Sequence, residues 1–174
     1  CRKPSEFRFP ESLQLKARIE PPFRGLLRCE GYLMGSTNKG LKIALTDLDR
    51  VGIADVAHGV ATVVLNDKAL RCVEASWLKM EGLIANGQRV YGINTGFGAL
   101  GHAAIDAADR ELGQRNLIYH LATGVGQPLK WKEARALVAA RLVVLSKGHS
   151  GCHVDVVPHL CAILNSDLAP WIPS

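Results

Sequence analysis

The pattern of apolar and polar positions divides the chain into a short irregular stretch and a long ordered one. Across residues 1–36 neither a helical nor a strand period persists. From about Leu41 the pattern becomes regular. Thr46-Asp47 reads as the cap of a short helix running through Val56, and Thr62-Val63-Val64-Leu65 as a β-branched run sufficient for one small strand. Asp67 opens a stronger helix in which Leu70, Val73, Trp77, Met80 and Ile84 recur at spacings of three and four, the mark of one buried stripe. Asn86-Gly87 ends it, as glycine commonly does at a helix C-terminus. A glycine-rich loop, Tyr91 to Gly98, follows. Asp106 is expected to cap a helix through Leu112, Asn116 and His120, which Thr123-Gly-Val-Gly-Gln-Pro128 breaks. Residues 131–147 carry the clearest helix, with Ala134, Leu137, Val138, Arg141, Leu142 and Leu145 on one face and Gly148 as its stop. A last helix puts Val157, Leu160, Cys161 and Leu164 on one side, provided Pro158 lies in its first turn. Pro170 and Pro173 force an extended exit. There is no internal repeat. The fold class is mainly α with a minor short-strand element, and strand content is too low for a parallel sheet.

Composition sharpens this picture. At 174 residues, 48% apolar and 21% charged, the chain has the make-up of a globular protein able to bury a core. No run approaches the ~20 apolar residues that span a bilayer, and no secretory signal opens the chain. No membrane partner is expected. The five cysteines (Cys1, Cys29, Cys72, Cys152, Cys161) are odd in number and contain no CxxC pair, which argues against a disulfide framework and for the cytoplasm. The net charge is +5, and residues 1–36 hold seven Lys/Arg against four Asp/Glu, or +3. Acidic residues and prolines interrupt that surplus, so no nucleic-acid partner is expected. Four of the eight prolines and three of the four phenylalanines also fall there. Residues 1–36 therefore read as a disordered or non-native leader, with Met34 as the expected natural start, and residues 37–174 as the domain proper.

Two motif matches mislead. Gly96-Phe-Gly-Ala-Leu-Gly101 matches G-x-G-x-x-G literally, but a dinucleotide site needs a preceding strand, an opening helix and a later acidic residue. Only Arg89-Val90-Tyr91 precedes it, and helices follow. His149, Cys152 and His153 cluster in a glycine turn with His159 further on, yet a structural zinc site usually needs four ligands at regular spacing. No metal is expected.

The loop at Tyr91–Gly98 carries more. Three glycines within seven residues, Gly92, Gly96 and Gly98, leave the backbone free to approach a ligand closely. A tyrosine at the edge of such a loop can swing over a site and act as acid or base. Taken alone, Tyr91 fits a packed loop aromatic equally well. Read together, the stretch says more: Tyr91-Gly-Ile-Asn-Thr-Gly-Phe-Gly98, Gln114-Arg-Asn-Leu-Ile118, His120-Leu-Ala-Thr-Gly-Val-Gly126, Arg135-Ala136, Arg141-Leu142, Lys147-Gly-His-Ser-Gly151 and Leu164-Asn-Ser-Asp-Leu-Ala-Pro170. In this order and spacing the chain resembles the histidine, phenylalanine and tyrosine ammonia-lyases and the related aminomutases. The resemblance runs from about Leu41 to Ser174, is strongest from Tyr91 onward, and leaves out residues 1–36.

The resemblance implies a mainly helical enzyme, homotetrameric when complete, with no external cofactor. Such enzymes build an electrophilic methylidene-imidazolone (MIO) ring from their own Ala-Ser-Gly, and that triad is absent from this sequence. The family's Gly-Ser/Thr-Val-Gly-Ala-Ser-Gly-Asp is expected almost directly after Ser174. The chain alone is accordingly expected to be inactive and to need the remaining C-terminal part of the enzyme as its partner. By the resemblance Tyr91 is the loop acid or base, and Gly98 the glycine whose backbone approaches the substrate. A phenol, with an ordinary pKa near ~10, needs stabilisation as phenolate to work at neutral pH. His120 and Leu121 stand at the selectivity pair. His120 by itself is an ordinary helix histidine, but His-Leu resembles the tyrosine type, where the histidine hydrogen-bonds the substrate's para-hydroxyl. The expected reaction is L-tyrosine to p-coumarate and ammonia. Phenylalanine or histidine as substrate, an aminomutase, and a non-catalytic remnant that only pairs with helical partners are the alternatives. His149 departs from the family, which often carries Ala at that point.

Overall fold

The computed structural model describes residues 40–173. The expected leader at 1–36 and the start at Met34 lie outside the described residues. The architecture is mainly helical, with one small sheet. Strand β1 (Leu41–Ala44) runs into a 3-10 turn (Leu45–Asp47), then helix α1 (Arg50–Ala57), strand β2 (Ala61–Val64) and the long helix α2 (Asp67–Ala85). Helices α3 (Arg110–Leu121), α4 (Trp131–Ser146) and α5 (Val156–Asn165) follow.

The two strands form a parallel pair, with Leu41 opposite Ala61 and Ala44 opposite Val64. This corrects the expectation of a single strand and too little strand for a parallel sheet. Leu-Lys-Ile-Ala carries only one β-branched residue, so propensity hides β1; pairing to β2 across the α1 crossover supplies what propensity lacks. The outer edge of β2 is closed by a side chain rather than a strand. The Asn165 carboxamide accepts from Val63 N–H at 2.9 Å and donates to Val63 C=O at 2.8 Å.

Helix ends show why the segments stop where they do. The cap of α1 is Asp49, whose carboxylate accepts from Gly52 N–H at 2.8 Å. The Thr46-Asp47 cap is thus displaced by two residues, because Thr46 and Asp47 lie at the 3-10 turn and Thr46 Oγ1 accepts from Asn66 Nδ2 at 2.7 Å. Asn66 in turn caps α2 through Ala69 N–H at 3.0 Å. Gly87 ends α2 at φ +73°. Asp106 makes no capping hydrogen bond; a 3-10 turn (Ala107–Asp109) leads into α3 instead. Pro158 sits in the first turn of α5, where a backbone donor is not needed.

The core lies where α1, α4 and α5 meet β2. It is built from Leu45, Val56, Val63, Val73, Ala139, Leu142, Val157, Cys161 and Leu164. On α4 the buried positions are Ala134, Arg135, Ala139, Leu142, Leu145 and Ser146. The expected face held Leu137 and Arg141, which are exposed, and omitted Arg135, which is fully buried. The apolar period passes over Arg135; its hydrogen bonds assign it to the core. Its Nη1 donates to Leu164 C=O at 2.9 Å and its Nη2 to Val56 C=O at 2.7 Å. These carbonyls belong to the last turns of α5 and α1, the negative ends of both helix dipoles. Burial pushes the guanidinium below the ordinary arginine value, and Asp167, 3.8 Å away, partly offsets this. Trp131 lies 4.5 Å beneath the same cation.

Candidate active site

Between α2 and α3 the chain folds into a compact loop whose hydrogen bonds account for its residue types. Asn94, nearly buried, accepts from Val90 N–H at 2.6 Å and donates to Gln88 C=O at 2.8 Å, pinning the loop entrance. Thr95, also buried, accepts from Gly92 N–H at 3.1 Å through Oγ1 and donates to Gly96 C=O at 3.0 Å. A bridge from Thr95 to Ala104 closes the base, with Gly96 N–H donating to Ala103 C=O at 3.0 Å and Ile105 N–H to Asn94 C=O at 2.9 Å. Two of the loop's three glycines are required by space. Gly92 has φ +74°, and a Cβ there would meet the Phe97 ring at 2.8 Å. A Cβ at Gly96 would meet Leu100 C=O at 2.7 Å.

This frame holds Tyr91 at the rim, 66% exposed, so its phenol is open to a ligand from solvent. The phenol is nevertheless placed. Gly98 N–H donates to Tyr91 Oη at 3.0 Å, and the Phe97 ring stands edge-on to the tyrosine at 6.1 Å between centroids. Gly98 has φ +55°, with open space where a side chain would be. The loop thus joins two of the four expected site residues, Tyr91 and Gly98, through one hydrogen bond.

His120 and Leu121 occupy the last turn of α3, and both are exposed. Among the described residues no hydrogen bond, ion pair or ring contact joins either of them to Tyr91. The loop is instead tied to α3 nearly two turns earlier, where Gln114 Nε2 donates to Gly92 C=O at 2.7 Å. A shallow cavity of about 460 Å³ opens on α3, lined by Glu111, Gln114, Arg115, Ile118 and Tyr119. A second, of about 510 Å³, lies between β2 and α5 and is lined mostly by apolar residues together with Lys42, Cys161 and Asn165. Neither includes Tyr91, Gly98, His120 or Leu121. Gln114 appears in the sequence motif without a role, because nothing in its spacing reveals an acceptor on a distant loop.

The segment 96–101 contains a 3-10 turn (Gly98–Leu100) and no strand feeds it, so the G-x-G-x-x-G match lacks the strand-to-helix setting a dinucleotide needs. His153 packs edge-on to Trp77 at 5.1 Å and lies 3.4 Å from the Asp155 carboxylate. Among the described residues no group of three or more His, Cys, Asp and Glu could hold a metal ion, and no helix is long and apolar enough to cross a membrane.

The family model described as aromatic amino acid lyase matches residues 48–174. A tyrosine ammonia-lyase from Cereibacter sphaeroides is 41% identical over 132 residues, which are 74% of this chain and 25% of that protein. A histidine ammonia-lyase from Myxococcus xanthus is 43% identical over 121 residues, 70% of this chain and 24% of that protein. Among solved structures, a tyrosine aminomutase from Streptomyces globisporus superposes with a TM-score of 0.72 at 30% identity, covering 76% of this chain and 26% of that one. The chain spans about a quarter of the length of the curated relatives it matches.

Proposed function

The chain belongs to the aromatic amino acid lyase family, and from that premise we propose that it is the loop-bearing part of an ammonia-lyase acting on an aromatic L-amino acid, with L-tyrosine to p-coumarate as the favoured reaction. The observation that carries the reading is the Tyr91 loop. Its glycines and buried Asn94 and Thr95 hold a solvent-open phenol in hydrogen-bond contact with the Gly98 amide. The β-proton of an amino acid is a very weak acid, so elimination requires both a well-placed base and activation of the amine as a leaving group. Tyr91 is proposed as the group that moves the proton, and Gly98 as the backbone that borders the substrate. His120 is proposed to pair with a para-hydroxyl, with Leu121 as the apolar neighbour.

Activation of the amine is the chemistry that an MIO ring supplies. The 174 residues contain no Ala-Ser-Gly, so these residues do not fit the role of ring donor, and another segment must provide it. The remaining part of a complete, tetrameric enzyme in the cytoplasm is the proposed partner. The test is to combine the chain with a polypeptide carrying that triad and follow ultraviolet absorbance of the unsaturated acid. Product is expected from the combination and none from the chain alone. His120→Phe is expected to lower the preference for tyrosine over phenylalanine by at least about tenfold, because the hydroxyl loses its partner; an unchanged preference rejects the tyrosine assignment. An aminomutase is the second reading, supported by the likeness to the tyrosine aminomutase structure. A β-amino acid among the products would select it.

A further inference from the structure

The loop that carries Tyr91 and the helix that carries His120 and Leu121 are separate elements, and α3 buries none of its own residues. Core packing therefore does not fix where the helix stands relative to the loop. Among the described residues a single polar contact joins them directly: Gln114 Nε2 donates to Gly92 C=O at 2.7 Å. Gly92 is the residue next to Tyr91, held at φ +74° with its own N–H engaged by Thr95. A helix turns about 100° and rises about 1.5 Å per residue, so Leu121 returns to within about 20° of the Gln114 face, about 10 Å further along. His120 lies about 120° from that face by the same count. The bond at Gln114 thus fastens the helix to the residue beside Tyr91 at a point about 10 Å before the 120–121 pair.

We propose that Gln114 is a positioning residue whose side-chain amide N–H locks the Tyr91 loop to α3 and so sets the geometry between the phenol and the selectivity pair. The inference rests on the functional reading above only for the roles of Tyr91, His120 and Leu121; the tie itself does not depend on it.

Residue-resolved amide exchange on the full 174-residue chain tests the proposal. Gln114→Ala removes the donor, Gln114→Glu keeps the size but offers a carboxylate in place of the N–H, and Gln114→Lys restores a donor. Exchange at Gly96, Gly98 and Ile105 is expected to rise about tenfold in the Ala and Glu variants, the weight of one ordinary hydrogen bond. It should return to within about twofold of wild type in the Lys variant. The Gly98 amide is the reporter for the phenol, because its acceptor is Tyr91 Oη. Exchange at Ala139 and Leu142 in the core should not move. Loop rates that stay at the wild-type value would overturn the proposal. So would rates that rise equally in loop and core, or a Lys variant as loose as Ala. The readout needs no turnover. A loop held by Gln114 in an enzyme whose chemistry ignores Tyr91 would reject the functional reading and leave the tie standing.

Discussion

Arg135 and Cys161 show how a single buried group can be read in opposite ways. Arg135 is a cation shut away from solvent, yet it bonds carbonyls at the ends of two helices and lies beside Asp167, a non-glycine residue held at φ +58°. Truncation would remove one of the hydrogen bonds that each carbonyl accepts, since Gly59 N–H still reaches Val56 C=O and Asp167 N–H still reaches Leu164 C=O, and would leave a cavity. Arg135→Ala is expected to lower unfolding stability by about 3 kcal/mol or more, with Arg135→Lys between it and wild type, as read from urea midpoints. A loss below about 1 kcal/mol in the Ala variant would show that the clamp is not structural. Cys161 is apolar in role. Burial pushes its thiol from 9.0 up to about 12. The folded protein keeps a proton that the unfolded chain gives up, so this contribution is complete below about pH 9 and disappears as pH rises through about 12, at most about 1.4 kcal/mol per pH unit. Cys161→Ala should flatten the fall in stability measured between about pH 9 and 11; parallel curves for variant and wild type would contradict the assignment.

Element boundaries were legible where chemistry is local and obscure where it is tertiary. Gly87 and Gly148 both adopt positive φ at helix ends, as their positions suggested, and α2, α4 and α5 fall where the apolar period placed them. Strand β1 and the Asn165 plug on β2 were not legible, because a four-residue strand and a carboxamide acquire meaning only from a partner distant in sequence. The buried Arg135 hid for the same reason. Within the site, the Tyr91–Gly98 loop stood out by its glycines, while the Gln114 tie needed coordinates. Gly148 gives the sharpest test at this scale. It has φ +70°, and a Cβ there would overlap the Cys72 carbonyl on α2, so the turn after α4 can lie against α2 only with hydrogen at that position. Gly148→Ala is expected to destabilise the chain by about 2 kcal/mol or more, measured by thermal or urea unfolding; a neutral substitution would mean that the turn stands off the helix.

For the whole molecule, a core of α1, α4, α5 and β2 supports a loop and a helix that it does not enclose. Tyr91, Leu112, Ile118 and Leu121 are all more than half exposed on that unenclosed side. Apolar surface of this kind suits the binding face proposed for the substrate and for the remaining segments of the enzyme. The mainly helical class and the family were legible from residues 91–170, whose motifs are specific. The substrate proposed for it rests on less, because His120 and Leu121 line neither of the two cavities described on this chain. Whether Tyr91 moves the proton is decided by Tyr91→Phe in the chain combined with a polypeptide carrying Ala-Ser-Gly. Removing only the hydroxyl should lower the rate of unsaturated-acid formation by about a hundredfold or more while the chain stays folded. A variant that keeps its rate within about twofold of wild type, on the scale where acid–base groups contribute far more, would contradict the account.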